Sequence, residues 1–376
     1  MARDPYLVIE WSDRKTDARG WLVVDSIRDE FAAGGLRMNT TVTREEVERL
    51  AQVMSYKYVA AQAEVGGAKG GIIYDYHKED ALDVLKRYLK AMKPYIESGV
   101  GIGADLGTRA EDIRRIRQEL GVKESAPKSI RENPKKVEEG NKRLQEIMSH
   151  KVDGLDMDRL VTGYGVAAAA DEAWKLLEGK PGAKVAIQGF GAVGGSAALW
   201  LEKQGYKVVA IADVNGTYYN EDGLDIKDLL GARNKLGEVE TEKMKTKCEV
   251  KPREDWMYFD VDILIPAAVE DVIDEDAAAK IKASLLVEGA NIPTTLAGDK
   301  IIRERGIRLV PDFVSNLGSV CFFNSIESGK CPATPEGALK RISDVIREDV
   351  RLTFEKAKAD GIYERDAAWQ LFKPEM

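Results

Sequence analysis

The sequence is poor in the residues on which much enzyme chemistry rests. It holds two histidines, His77 and His150, and neither stands in a motif. Histidine-based acid–base catalysis and an imidazole-built zinc site are therefore not expected. Three cysteines, Cys248, Cys321 and Cys331, supply neither a disulfide framework nor a metal-ligand spacing. No apolar run is long enough to span a bilayer, and Met1-Ala2-Arg3-Asp4-Pro5 leads into no signal-peptide core, so a cytoplasmic protein is expected. Positive charge is also short. With 56 Lys and Arg against 64 Asp and Glu, the formal charge is −8, which argues against a nucleic-acid partner.

What is present fits a soluble globular chain with 44% hydrophobic and 32% charged residues, and its 376 residues exceed what one core comfortably serves. Two domains are expected. The first half is organised around Gly66-Gly67-Ala68-Lys69-Gly70-Gly71, read as a glycine loop holding one lysine. Glycine flanks let the backbone approach a ligand closely, and a lysine desolvated there is suited to acid–base work. Upstream, Trp21–Ile27 and Gly35–Thr41 read as strands. Thr43 and Glu46 form a capping box before a helix with apolar residues at Val47, Leu50, Met54, Tyr58 and Ala61. Lys57 lies beside that stripe, where a snorkelling position is the ordinary expectation. Gly99–Ala104 reads as a strand ending at Asp105, a carboxylate placed either for chemistry or to cap the next helix. From Lys123 to Lys151 the chain is highly charged and almost free of bulky apolar residues, as in a solvated helix or connector at a domain boundary.

The second half carries a nucleotide fold. The short β run Lys184–Gln188 leads directly into Gly189-Phe190-Gly191-Ala192-Val193-Gly194. A helical segment follows, and the next strand ends at Asp213. Strand, G-x-G-x-x-G, helix and a downstream acid form the context in which the glycines admit a pyrophosphate to a helix N-terminus. Asp213 is placed to accept from a ribose hydroxyl. Further β runs at Val261–Ile265, Leu285–Glu288 and Arg308–Val310 end in small or polar residues, candidates for the cofactor edge of a parallel sheet.

Taken together, the phrases resemble the glutamate/leucine/phenylalanine/valine dehydrogenase family. They are Gly34-Gly35-Leu36-Arg37, Met54-Ser55-Tyr56-Lys57, Gly66–Gly71, Ala104-Asp105-Leu106-Gly107-Thr108, Thr162-Gly163-Tyr164-Gly165, Gly189–Gly194, Glu288–Thr295, and Pro311-Asp312 with Asn316-Leu317-Gly318-Ser319-Val320, in the family's order. The resemblance implies oxidative deamination of an L-α-amino acid to a 2-oxo acid and ammonium, with hydride passing to NAD or NADP. It implies Lys57 for the substrate α-carboxylate, Lys69 as the lysine that activates the attacking water, and Asp105 as the proton shuttle. Gly34, Met54, Gly103, Ala33, Val320 and Phe323 would line the substrate. Thr162, Gly189, Gly191, Ala192, Val193, Gly194, Asp213, Ala267 and Asn291 would hold the cofactor. No resident metal is implied.

The fold expected is α/β with two domains. Residues 1–150 would form a mostly parallel α/β substrate-binding and oligomerisation domain completed by C-terminal helices from 331–376. Residues 151–330 would form a Rossmann-type, doubly wound dinucleotide-binding domain, in a hexameric or octameric homo-oligomer. Family members acting on glutamate carry a lysine before the Gly-Gly pair and a serine further along; here those positions are Ala33 and Phe323. Losing both anchors predicts an apolar or aromatic substrate, because an unpartnered buried carboxylate is costly. The alternatives are a glutamate dehydrogenase whose anchor has moved, Arg37 being one candidate, and a catalytically silent nucleotide-binding regulatory protein. Asp213 leans the cofactor toward NAD, with NADP possible, since a carboxylate repels a 2′-phosphate.

Overall fold

The computed structural model describes residues 4–123, 126–234 and 237–375. The chain divides into two compact units, Met1–Glu139 with Phe372–Met376, and Gly140–Leu371.

In the first unit, β1 (Leu7–Ser12), β2 (Arg19–Val24), β3 (Ala32–Asn39), β4 (Gly66–Ile73) and β5 (Val100–Ala104) form one sheet in the order β1-β2-β4-β3-β5. It is mixed rather than mostly parallel: β1–β2 and β2–β4 are antiparallel, β3–β4 and β3–β5 parallel. The connections explain this. A short link returns β1 onto β2, whereas α1 (Arg44–Ala60) and α2 (Ala81–Glu97) are the crossovers a parallel neighbour needs. Strand alternation sends Leu22, Val24, Ala68 and Ile72 into a core with Leu85, Tyr88 and Leu89 of α2. Trp21 and Val23 face the other way, toward Val47 and Ala51 of α1. The Gly66–Gly71 phrase is therefore not a loop but a central strand. Two of its glycines serve contact with α1: a Cβ on Gly67 would lie 2.3 Å from Ser55 N, and one on Gly71 2.3 Å from Val47 Cγ2. Then follow α3 (Ala110–Glu119), α4 (Lys128–Arg131) and α5 (Pro134–Met148), so the charged stretch is largely helical, and the division between units falls inside α5.

The second unit opens with the hairpin β6 (Lys151–Val152) and β7 (Leu155–Asp156), then α6 (Met157–Leu176), which begins before Thr162. β8 (Lys184–Gln188), α7 (Ala192–Lys203), β9 (Lys207–Ala212), β10 (Thr217–Tyr219), α8 (Ile226–Gly231), β11 (Glu249–Lys251), β12 (Ile263–Pro266), α9 (Glu275–Lys280), β13 (Leu285–Val287), α10 (Leu296–Glu304) and β14 (Arg308–Val310) complete a sheet in the order β11-β10-β9-β8-β12-β13-β14. The strands from β9 to β14 in that order are parallel; β10 and β11 are an antiparallel edge. α6 reads as alanine-rich because it is buried nearly all round, with Ala167–Ala170 at 1% exposure or less.

After α11 (Asp312–Ser315) and α12 (Gly318–Glu327), the C-terminal helices α13 (Pro335–Asp360) and α14 (Glu364–Leu371) differ from the sequence expectation. They group with the second unit, not the first, and only residues from Phe372 onward join the first. The physical reason is that the apolar face of α13 packs on α6 and α12, while α14 packs on β14. Among the described residues, no helix is long and apolar enough to cross a membrane.

Candidate functional site

In the first unit, the alternation of β4 puts Lys69 on the face where Gly67 and Gly71 press against α1. Its exposure is 4%, and its Nζ forms an ion pair with Asp105 Oδ2. Asp105 follows β5 in a turn locked to β3: Thr108 Oγ1 donates to Leu36 O at 2.7 Å, and Asp105 N donates to Thr108 Oγ1 at 3.0 Å. Asp105 does not cap α3, whose cap position is Arg109. A Cβ on Gly35 would lie 2.8 Å from Asp105 Cβ, so that glycine is what lets the turn close on β3. Arg37 Nε stands 3.6 Å from the same carboxylate oxygen. Burial works to raise the Asp105 pKa, but the charges of Lys69 and Arg37 outweigh it and hold the carboxyl down at about 2. The group is thus kept as an anion beside a buried ammonium.

Lys57, at 5% exposure, is buried rather than snorkelling. The end of α1 that carries it is braced by a buried polar hub. Ser55 Oγ donates to Asp25 Oδ2 at 2.5 Å and lies 2.6 Å from Ser26 Oγ, which accepts from Gly67 N at 3.1 Å. The capping box is half made: Thr43 accepts from Glu46 N, but the Glu46 carboxylate instead accepts from Arg37 Nη1 at 2.6 Å. Arg37 is therefore committed to Glu46 and Asp105, which removes it as a candidate side-chain anchor. Met54 is half-buried and Gly103 exposed. Gly34 is a packing necessity, since a Cβ there would lie 1.7 Å from Ala68 O. Ala33 belongs to a small apolar group with Phe31, Tyr58, Ala63 and Val65.

In the second unit, the expected fingerprint residues come together at the carboxyl ends of the parallel strands. Gly189 has φ +87°, and a Cβ there would lie 2.8 Å from Ala267 O; a Cβ on Gly289 would lie 2.9 Å from the Ala267 methyl. Gly194 lies so close to Gly189 that a Cβ would fall 1.9 Å from its carbonyl, while Gly191 has open space around it. This is a cradle that side chains would fill, at the N-terminus of α7 where Ala192 and Val193 present free amides, and it fits a dinucleotide pyrophosphate. Thr162 directly precedes Gly163, which lets α6 lie against α7, with a would-be Cβ 2.1 Å from Val193 O. Asp213, just after β9, accepts from Asn215 N and Val239 N, both at 2.8 Å. Asn291 Oδ1 accepts from Asn316 Nδ2 at 3.2 Å. Val320 and Phe323 share one half-buried face of α12, opposite the buried Cys321, Phe322 and Ile326.

Sequence reasoning missed a cavity of about 420 Å³ flanking the fingerprint, lined by Gly191, Ala192 and Ser196 with Arg159 and Arg233. Arg233 Nη1 donates to the carbonyls of Phe190 at 2.7 Å and Gly191 at 3.0 Å. Burial, with Arg159 nearby, lowers its pKa. Nothing local marks Arg233 as different from any other arginine past a helix end. Its partners lie more than forty positions back in the chain.

The sequence model described as glutamate/leucine/phenylalanine/valine dehydrogenase matches residues 154–370, and that of the family's dimerisation domain matches residues 8–121. The chain belongs to this family. It is 34% identical over 292 residues to an NADP-specific glutamate dehydrogenase of Saccharolobus shibatae, covering 76% of this chain and 65% of that protein. It is 30% identical over 355 residues to NAD-specific glutamate dehydrogenase A of Halobacterium salinarum, covering 92% and 76%. The chain thus spans about two thirds of the length of the first of these relatives. In fold it is similar to a hetero-hexameric glutamate dehydrogenase of Thermus thermophilus, with TM-score 0.75 and 23% identity over 98% of this chain and 87% of the other. A Peptoniphilus asaccharolyticus glutamate dehydrogenase gives 0.69 and 27% over 98% and 89%. Two-domain α/β architecture with a Rossmann-type cofactor unit is the family's fold and this chain's.

Proposed function

We propose that the chain catalyses the NAD(P)-linked oxidative deamination of an L-α-amino acid: amino acid, NAD(P)+ and water give 2-oxo acid, ammonium, NAD(P)H and a proton. The observation that carries the reading is the ion pair of the buried Lys69 with Asp105, on the sheet face against which α1, the helix that carries the buried Lys57, packs. A buried lysine paired to a carboxylate whose resting form is the anion is equipped to accept a proton from the substrate's amino nitrogen and pass it on. Lys57 would bind the substrate α-carboxylate. Lys69 would hold the attacking water and stabilise charge developing on the substrate's oxygen, and Asp105 would carry protons between the amino nitrogen and water. The bound dinucleotide supplies the hydride acceptor. In the second unit, Gly189, Gly191 and Gly194 with the α7 amides would hold its pyrophosphate, Asp213 its ribose, and Thr162, Ala267 and Asn291 would line its nicotinamide side.

For the side chain, glutamate is the first substrate to test, because the relatives bear that name. Their cofactor names include both NADP- and NAD-specific forms, so either dinucleotide is open to this chain. A second reading, an apolar or aromatic substrate, is favoured by Ala33, whose methyl sits in an apolar group where a cation would be needed, and by Phe323. Rates with glutamate and norvaline at equal concentration, each with NAD and NADP, separate the two. Failure of a twenty-amino-acid panel to yield reduced cofactor would overturn the enzymatic reading in favour of a silent nucleotide-binding protein. We further propose self-association through the first unit, consistent with its match to a dimerisation domain, which light scattering on the purified protein tests.

A further inference from the structure

We propose that Arg365, on the C-terminal helix α14, is a positioning residue: through the buried carboxylate of Glu288 it holds the loop 288–295, and with it Asn291, in a single strained shape. This rests on the cofactor reading above and adds to it a residue far from every motif.

Glu288 is completely buried, at 0% exposure. Its two oxygens are gripped side by side, Arg365 Nη2 donating to Oε1 at 2.8 Å and Nη1 to Oε2 at 3.0 Å. A parallel pair of this kind fixes orientation as well as charge. The remaining lone pairs are used to shape the loop. Oε1 accepts from Thr294 Oγ1 at 2.6 Å, and Oε2 accepts from Asp312 N at 3.1 Å. Asp312 Oδ2 in turn accepts from Ile292 N at 2.9 Å. Arg365 Nε donates to Asp299 Oδ1 at 2.8 Å, tying in the first turn of α10. α14 itself is fastened by ion pairs from Arg308 to Glu364 and from Arg303 to Asp366.

Ile292 gives this network its purpose. It has φ +42°, a left-handed conformation that a β-branched residue adopts only when its surroundings impose it. It immediately follows Asn291, and Asn316 Nδ2 closes the other side by donating to the carbonyls of Gly289 at 3.2 Å and Ala290 at 3.1 Å. A backbone held against its preference springs away when a restraint is removed. Glu288 without Arg365 would be a buried carboxylate with no cation, and it would draw in water or move. The C-terminal helix is therefore part of the apparatus that presents the cofactor-side loop.

The experiment compares wild type, Arg365→Leu, Arg365→Lys and the double variant Glu288→Gln/Arg365→Leu. NADH and NADPH affinity is read by protein fluorescence quenching, alongside KM and kcat for amino acid and dinucleotide. Arg365→Leu is expected to weaken dinucleotide binding tenfold or more, with the amino-acid KM within twofold of wild type. The double variant, whose neutral amide no longer needs a cation, should recover at least threefold of the loss. If Arg365→Leu does not fold, Arg365→Lys, which keeps the charge but not the fork, should still weaken binding about threefold. Folded variants with unchanged dinucleotide affinity, or with amino-acid KM and dinucleotide KM raised alike, overturn the inference. Wild type that binds neither dinucleotide overturns the cofactor reading as well, and is distinguishable for that reason.

Discussion

Replacing Asp105 by Asn keeps the shape of the side chain and removes its charge from between Lys69 and Arg37. In the folded protein the carboxyl titrates at about 2, against about 3.9 for an unperturbed aspartate. The folded-state value is depressed, so the group contributes stability above the unfolded value, and that stability is lost as pH falls from about 4 toward 2. A difference of almost two pH units corresponds to about 2–3 kcal/mol. Urea unfolding at a series of pH values, in parallel for wild type and Asp105→Asn, isolates this contribution because all other titrations are common to both. The gap between the two proteins is expected to be about 2–3 kcal/mol at pH 6 and to narrow steadily below pH 4. Activity with the best substrate should fall by roughly 10²- to 10⁴-fold, the usual worth of a positioned proton carrier. A stability gap that stays constant down to pH 2.5 would refute the electrostatic account, and unaltered kcat would refute the catalytic one.

Lys69→Ala should lower kcat by at least about 10²-fold while dinucleotide affinity is retained, since Lys69 lies in the unit proposed to hold the amino acid; stopped assays with NADH fluorescence as the binding control check this. Gly163→Ala places a methyl 2.1 Å from Val193 O, and the forced separation of α6 from α7 should cost about 1–3 kcal/mol in urea unfolding. Asp213→Ser removes the carboxylate that would repel a 2′-phosphate but leaves an acceptor for Val239 N. The NADPH:NADH affinity ratio should rise severalfold, and an unchanged ratio would remove Asp213 from cofactor selection.

The legible parts of the site were those where chemistry is local in sequence. The run from Lys184 to Asp213 contains strand, glycine turn, helix and acid in order, and the closest approach in the turn, 1.9 Å from a Cβ on Gly194 to Gly189 O, lies inside that same run. Asp105 and its Thr108 bond were likewise within one short phrase. Gly66–Gly71 was misread because glycine's usual meaning is a turn. Here the absent side chains of Gly67 and Gly71 make room for α1, and that requirement comes from Ser55 and Val47, 12 and 24 positions upstream. Arg37 could stand as a possible substrate anchor until Glu46 and Asp105 were seen to occupy it. The first unit's mixed sheet also escaped sequence reasoning, since hydrophobic alternation states which face a residue takes but not which strand lies beside it.

By itself, then, the sequence determined the family and the nucleotide fold of the second unit, and it marked the two lysines and the aspartate as candidates. Each is encoded in contiguous phrases whose backbone demands are met within a few residues. Only the tertiary structure decided that both lysines are buried, that α13 and α14 group with the second unit, and that Arg365 and Glu288 meet 77 positions apart. An amphipathic face announces that it will be covered and a buried charge that it will be matched. The covering surface and the matching charge are fixed by packing across the chain, where the geometry of many elements is satisfied at once.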